Sequence, residues 1–205
     1  MLAGIAIILL SPAMLMISAL LYGFGFSRPI FTQQRVGQNG QVFTIFKFRT
    51  LRDQTCRPVC GFQSRLAKAF TSALRVCGFD ELPQLFNILR GEMALIGPRP
   101  HSIADHLLFA SSLPGYEARL KVKPGITGWA QICGWRGPVR TFEHLNARVR
   151  HDLVYIKHGN AAFDGAIVIA TVLLPIWSVI KRIKLPRQTV RDLKHNARQC
   201  DGRIA

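Results

Sequence analysis

The 205-residue chain is long enough for one domain with a sizeable core, with or without a membrane anchor. Its 49% hydrophobic and 19% charged residues exclude disordered, collagen-like and coiled-coil proteins. Lysine and arginine number 27 against 11 acids, a formal charge of +16, which favours an anionic partner: nucleic acid, anionic lipid or a phosphorylated substrate. The five cysteines lack paired spacing and are predicted to be free thiols.

The first 27 residues contain no Asp, Glu, Lys or Arg, and residues 2–21 are long enough to cross a bilayer as a helix. No positive charge precedes this run, so we expect it to be retained rather than removed as a secretory signal. Ser11 and Pro12 lie near its centre, where proline removes a backbone hydrogen bond and the serine hydroxyl can bind the freed carbonyl. Length favours a kinked span over a helix that breaks here and returns to the same face.

Three elements are predicted in the middle of the chain. Residues 41–48 alternate loosely and are rich in aromatic and β-branched side chains, which predicts a short strand after a turn at 37–40. Residues 63–76 are predicted to form a basic amphipathic helix whose apolar face carries Leu66, Phe70 and Ala73. Residues 80–90 predict a clearer helix, which ends at Gly91.

The last third of the chain predicts one more helix and a second apolar segment. The helix covers residues 141–155. Residues 165–180 are a second apolar run without charged residues. This run is short for a membrane span and is interrupted by Pro175. Because the basic tail 181–205 follows, this segment is predicted to lie at the interface with anionic lipid headgroups.

The acidic pair Asp80-Glu81 allows two interpretations. At a helix start, one acid can cap the helix and the other can complement its dipole, and base rates favour this ordinary role. The same dipole keeps a carboxylate ionised, so that Asp80 could attack phosphorus while Glu81 binds Mg²⁺.

Two basic positions are candidates for phosphate binding. Arg99 stands between two prolines in Gly97-Pro98-Arg99-Pro100, and a stiff loop that presents a forked guanidinium suits two phosphate oxygens. Lys47 and Arg49 share a face at a strand end and could act likewise. The alternative for Arg99 is a tight turn with an exposed arginine, and the alternative for Lys47 and Arg49 is a solvated strand face. Cys56 and Cys60 lack the further ligands of a zinc site, and nucleotide-binding glycine motifs are absent from the sequence.

In this order the motifs resemble those of the bacterial sugar transferases, the monotopic phosphoglycosyl transferases, over about residues 9–175. The shared residues are Ser11-Pro12, Gln34-Arg35-Val36-Gly37, Lys47-Phe48-Arg49-Thr50, Arg75 with Asp80-Glu81-Leu82-Pro83-Gln84, Gly91-Glu92-Met93, Gly97-Pro98-Arg99-Pro100, Pro124-Gly125-Ile126-Thr127-Gly128-Trp129 with Gln131, and Asp152 with Tyr155-Ile156. The combination is far more specific than any single motif.

The resemblance implies an α/β fold: a mostly helical, membrane-associated domain with a short strand region. It divides the chain into a re-entrant membrane helix (1–27) broken at Ser11-Pro12, a catalytic domain (28–180) with interfacial helices, and a basic tail (181–205). It places the protein on the cytoplasmic face of the bacterial inner membrane. This reverses the preference for a span that length alone gives.

The implied reaction transfers a sugar 1-phosphate from a UDP-sugar to undecaprenyl phosphate and releases UMP, as the first step of exopolysaccharide synthesis. Asp80 is the implied nucleophile, and Asp80 and Glu81 are the implied ligands of Mg²⁺. The stretch 134–137 is similar to hexose-1-phosphate members, which favours glucose or galactose. The remaining candidate substrate-binding residues are Lys47, Arg49, Arg75, Arg99, Gln131 and Asp152.

Anionic membrane lipid is an expected partner, nucleic acid is not, and a homo-oligomer stays open. The alternative from another class is a catalytically decayed protein whose basic face only binds anionic lipid or assembly partners. Release of UMP by the purified protein distinguishes the two.

Overall fold

The computed structural model of the protein describes residues 2–52, 56 and 61–184. The chain divides into two compact units, residues 1–168 and 169–205. Part of the predicted basic tail, residues 185–205, lies outside the described residues, and so does Cys60. Helices and strands follow one another as α1 (Leu2–Gly23), β1 (Ile30–Val36), β2 (Val42–Phe48), α2 (Gly61–Cys77), α3 (Leu85–Leu89), β3 (Ala94–Ile96), α4 (Ile103–Ser112), β4 (Gly125–Thr127), α5 (Trp129–Ile132), α6 (Phe142–His158) and α7 (Ala161–Lys184).

Helix α1 runs through Pro12 as one continuous helix. The Ser11 hydroxyl donates a 2.8 Å hydrogen bond to the Ile8 carbonyl, the group that Pro12 leaves without its usual partner. That predicted compensation is confirmed, and no non-helical residue separates the two halves. Among the described residues, α1 is the one helix long and apolar enough to cross a membrane, by length and composition. Whether it re-enters the same face stays a prediction.

The end of α1 is part of the protein core. Ile17 and Leu21 are buried together with Phe26, Phe48 and Leu74. These residues come from α1, the segment after it, the end of β2 and helix α2. The last turns of the apolar helix are therefore fixed to β2, which carries Lys47, and to helix α2, which precedes the acidic pair.

The strand region consists of two separate two-stranded sheets. The predicted strand at 41–48 is confirmed as β2, which pairs antiparallel with β1. Strand β1 was not predicted, because its alternate half-buried positions include Gln33 and Arg35, two polar side chains that bond each other at 2.6 Å. Strands β3 and β4 pair in parallel.

The predicted helices form with two corrections. Helix α2 exists, but its buried face carries Ala67, Thr71 and Leu74, whereas Leu66 and Ala73 are exposed. The predicted helix 80–90 is a 3-10 segment, Phe79–Gln84, followed by the short α3. Pro83 is the physical reason, since its ring clashes with the carbonyl four residues earlier in an α-helix. Gly91, at φ +76°, ends α3 as predicted.

Helix α6 and helix α7 agree with the sequence. Thr141 caps α6, because its side chain accepts a hydrogen bond from the backbone N–H of His144 at 3.2 Å. The second apolar run lies within α7, which continues helically through Pro175. The position of this helix at a lipid interface stays a prediction.

Candidate active site

A buried amide joins β2 to α3 and so brings the candidate site together. The Asn87 side chain is fully buried and donates to the Thr44 carbonyl at 2.7 Å. Its oxygen accepts from the backbone N–H of Phe46 at 3.2 Å. Since these bonds hold β2 against the chain that follows the acidic pair, Lys47 is held close to Glu81.

Glu81 lies between two cations. Its Oε1 accepts from Lys47 Nζ at 2.7 Å and from Arg99 Nη2 at 2.6 Å, and its Oε2 accepts from Arg99 Nη1 at 3.3 Å. The Glu81 side chain is 15% exposed, against 17% for Lys47 and 31% for Arg99. A forked guanidinium on one carboxylate with an ammonium beside it is a strong, partly buried anion-binding arrangement.

The two neighbouring acids are shifted in opposite directions. Burial raises the pKa of Glu81, but Arg99 and Lys47 more than offset it and hold this pKa at about 2. Burial and the Glu81 charge raise the pKa of Asp80, although Lys47 and Arg99 oppose them. Asp80 lies in the first turn of a 3-10 segment rather than of the predicted α-helix, and that a helix start keeps it ionised stays a prediction.

Asp80 is also not the cap of this segment. The capping position is Gly78, in the left-handed conformation at φ +75° and without a side chain to cap the segment. The ordinary interpretation of Asp80 as a helix cap is therefore excluded. Asp80 does not cap the segment and lies next to Glu81, which pairs with two cations. It is therefore a stronger functional candidate than the sequence alone indicates.

The loop that carries Arg99 is fixed by backbone contacts without room for side chains. Gly97 donates to the Thr127 carbonyl at 2.9 Å, and Gly125 donates to the Pro98 carbonyl at 3.0 Å. A Cβ added to Gly125 would lie 2.1 Å from the Gly97 nitrogen, and one added to Gly128 would lie 2.2 Å from the Gly97 oxygen. The two glycine-containing motifs are therefore the two sides of one tight backbone junction.

We expect Gly125→Ala to destabilise the protein by about 2 kcal/mol, because its Cβ forces the strands apart. Urea unfolding of the detergent-solubilised protein measures the change. The matched control is Gly165→Ala in α7, where nothing lies within 4 Å of the added Cβ and alanine favours the helix. Equal stability of the two variants would contradict the tight junction.

Two of the predicted phosphate-binding arginines, Arg49 and Arg75, bond main-chain carbonyls. The Arg49 Nε donates to the Arg28 carbonyl at 2.9 Å, and its guanidinium lies 5.5 Å from the Phe31 ring centre. Arg75 donates to the Thr50 carbonyl at 3.2 Å and lines a cavity of about 340 Å³ that Lys68 and Arg52 also line. Among the described residues, Lys47 and Arg99 are the cations that bond Glu81.

Gln131 and Asp152 are buried and bound to protein groups. Gln131 donates from Nε2 to the Ile126 carbonyl at 2.9 Å. Asp152 Oδ2 accepts from Nε and Nη2 of Arg119 at 3.0 and 2.8 Å. Both side chains support the loops around Arg99. Sequence reasoning missed Arg119 and Asn87, since neither stands in a pattern that distinguishes a buried polar group from a solvated one.

No group of three or more His, Cys, Asp or Glu side chains able to hold a metal ion occurs within the part of the chain that the structure describes. Magnesium, however, is commonly held by one or two carboxylates and completed by substrate phosphates and water. Asp80 and Glu81 fit that pattern. Cys56, Cys77 and Cys133 are free thiols, as predicted.

Residues 1–178 match the family model described as bacterial sugar transferase. The UDP-glucose:undecaprenyl-phosphate glucose-1-phosphate transferase of Escherichia coli (strain K12) is 39% identical over 175 residues, which are 83% of this chain and 38% of that protein. The exopolysaccharide production protein PSS of Rhizobium leguminosarum bv. phaseoli is 33% identical over 176 residues, 82% of this chain and 88% of that protein.

A relative with another substrate in its name also matches. It is the UDP-N-acetylgalactosamine-undecaprenyl-phosphate N-acetylgalactosaminephosphotransferase of Aeromonas hydrophila, 35% identical over 173 residues, 83% of this chain and 40% of that protein. This chain spans well under two thirds of the E. coli and Aeromonas proteins. The relatives thus share a common segment while their names differ in the sugar.

Proposed function

Because the chain belongs to the bacterial sugar transferase family, we propose that it transfers a sugar 1-phosphate from a UDP-sugar to undecaprenyl phosphate and releases UMP. This is the initiating step of exopolysaccharide synthesis. The observation that carries the proposal is the cluster of Lys47, Glu81 and Arg99 beside Asp80. It combines a nucleophile candidate with two cations suited to a diphosphate.

The proposed reaction has two displacements at one phosphorus. A carboxylate oxygen of Asp80 attacks the sugar-bearing phosphorus, the bond to the UMP oxygen breaks, and UMP leaves with the electron pair. Asp80 then carries the sugar phosphate as a mixed anhydride. An oxygen of undecaprenyl phosphate attacks the same phosphorus and releases the Asp80 carboxylate, which gives the diphosphate-linked sugar.

The chain's own residues supply binding and charge. Lys47 and Arg99 bind the donor diphosphate. The diphosphate either displaces the Glu81 carboxylate from these cations or binds beside it. Asp80 and Glu81 would hold Mg²⁺, which when bound neutralises charge that develops on the phosphate oxygens. Arg49 and Arg75 are proposed to assist from outside the cluster.

The experiment is a screen of UDP-sugars with purified protein, undecaprenyl phosphate and Mg²⁺, with UMP as the measured product. We expect UMP release with UDP-glucose or UDP-galactose, and a UDP-N-acetylgalactosamine arm covers the sugar named in the Aeromonas relative. No UMP from any donor would favour the alternative, a decayed protein that binds anionic lipid only. Binding to anionic vesicles without turnover would identify that case.

The raised pKa of Asp80 predicts the acid limb of the pH profile. The nucleophile must be ionised, so activity rises with pH through the Asp80 pKa, and this rise should lie above the usual range near 3.9. In Glu81→Gln the limb should move to lower pH, because the neighbouring charge that raises the pKa is gone. Measurement of kcat/KM against pH for both proteins checks this, and a limb unmoved by Glu81→Gln would contradict it.

The proposed location is the cytoplasmic face of the inner membrane, with α1 re-entrant. Engineered cysteines at Ala3 and Gln33, in a background with all five native cysteines replaced by serine, should then be labelled from the cytoplasmic side only. Helix α1 is continuous at this point, with the Ser11 hydroxyl on the Ile8 carbonyl, so the re-entrant turn is proposed from the family resemblance. Labelling of the Ala3 position from the periplasm would instead establish a simple span.

A further inference from the structure

Arg119 is a buried arginine whose five N–H groups all have acceptors near them. Nε and Nη2 contact Asp152 Oδ2 at 3.0 and 2.8 Å, and Nη2 also donates to the backbone carbonyl of Arg99 at 2.7 Å. Nη1 lies 2.9 Å from Nδ1 of His101 and 3.5 Å from the Tyr116 hydroxyl. The Arg119 side chain is 2% exposed, so these contacts replace solvent entirely.

These contacts fix the loop of Arg99 through its main chain. The Arg99 carbonyl is bound to Arg119, whereas the Arg99 side chain extends to Glu81. His101 lies two residues further along and is bound to the same guanidinium. A guanidinium only donates, so Nδ1 of His101 is the acceptor in this contact, and the Tyr116 hydroxyl lies 2.7 Å from the same nitrogen.

Asp152 sets the direction of this guanidinium. Both of its contacts with Arg119 use one carboxylate oxygen, Oδ2, and the Asp152 side chain is 3% exposed. A buried ion pair of this kind holds its partner in one orientation, and removal of either member leaves an uncompensated charge. Asp152 lies on α6 and Arg119 on the 3-10 segment Tyr116–Lys121, and Arg119 in turn bonds the loop between β3 and α4 that carries Arg99.

We propose that Arg119 and Asp152 are the positioning pair for Arg99. Arg119 acts through the Arg99 main chain and places the forked side chain where the donor diphosphate binds. This inference rests on the proposed function. It makes Asp152 a positioning residue, which acts through Arg119, rather than a substrate-binding residue.

The test compares two equally buried arginines. Arg119→Lys keeps the charge but cannot reach Asp152, His101 and the Arg99 carbonyl together, so donor kcat/KM should fall on the order of 100-fold. The matched control is Arg148→Lys: Arg148 is 3% exposed and donates to the Gly137 carbonyl at 2.6 Å, and it interacts with Asp152 and Arg99 through its charge alone, which lysine keeps. It should lose stability with a far smaller change in kcat/KM.

A double-mutant cycle separates positioning from general structural damage. In an Arg99→Ala background, measured with radiolabelled donor, Arg119→Lys should lower kcat/KM less than about twofold further, because the side chain that it places is gone. Effects that multiply would overturn the proposal. Asp152→Asn, of nearly unchanged size, should show the same dependence on Arg99 and serves if Arg119→Lys does not fold. Wild-type protein without UMP release would instead refute the proposed function.

Discussion

Asp80→Asn is expected to lower UMP release on the order of 10⁴-fold or more, because an amide cannot form the bond to phosphorus. The fold should survive, since Asp80 caps no helix and asparagine has nearly the same size. Mass spectrometry after incubation with the donor alone should detect a sugar-phosphate adduct on the wild-type protein and none on the variant. The wild-type kinetics should be ping-pong.

The matched control is Asp105→Asn, which also removes one carboxylate charge but lies exposed in the first turn of α4. We expect turnover close to that of the wild type and the same adduct. Full activity in Asp80→Asn, or kinetics that require both substrates bound at once, would exclude the covalent mechanism.

Arg99→Lys is expected to lower donor kcat/KM about 100-fold although the charge is kept. Lysine cannot contact both oxygens of Glu81, or two phosphate oxygens, as the Arg99 fork can. Steady-state kinetics with varied UDP-sugar measure the loss. An unchanged circular dichroism spectrum shows that the fold is intact.

Arg140→Lys, an exposed arginine in the loop before α6, is the control for the same substitution outside the cluster. Its kinetics should match the wild type within about twofold. If Arg99→Lys behaved in the same way, the diphosphate would have to be bound elsewhere, and the cavity lined by Arg75, Lys68 and Arg52 would be the next candidate.

Structural features that depend on neighbouring residues could be predicted from the sequence. The helix predicted from residue 141, the stop at Gly91 and the alternation in β2 each depend on neighbouring residues, and each element forms close to its predicted place. The predicted α-helix at 80–90 is wrong, because the apolar spacing favours an α-helix that Pro83 does not allow. Phe86 and Leu89, part of that spacing, are 42% and 56% exposed.

The site could be predicted only where a motif places residues near one another in the chain. Asp80, Glu81 and Arg99 stand in such motifs, and Lys47 joins them through the buried Asn87. By contrast, Arg119 contacts Asp152 across 33 positions of the chain. Such a partnership depends on tertiary packing and has no local signature, so Arg119 was indistinguishable from the many solvated basic residues.

The pairing of Glu81 with Lys47 and Arg99 also fixes the charge balance at the centre of a very basic protein. With Asp80 ionised, the charges of Asp80, Glu81, Lys47 and Arg99 cancel, and Arg35 and Arg136, which interact with Arg99 and Glu81 through charge, leave the centre positive. The basic surface attracts anions to the protein, but at the centre the Glu81 carboxylate already occupies Lys47 and Arg99. A diphosphate has to displace Glu81 from its cations or arrive with its own countercharge, and this makes the centre selective before any sugar is recognised.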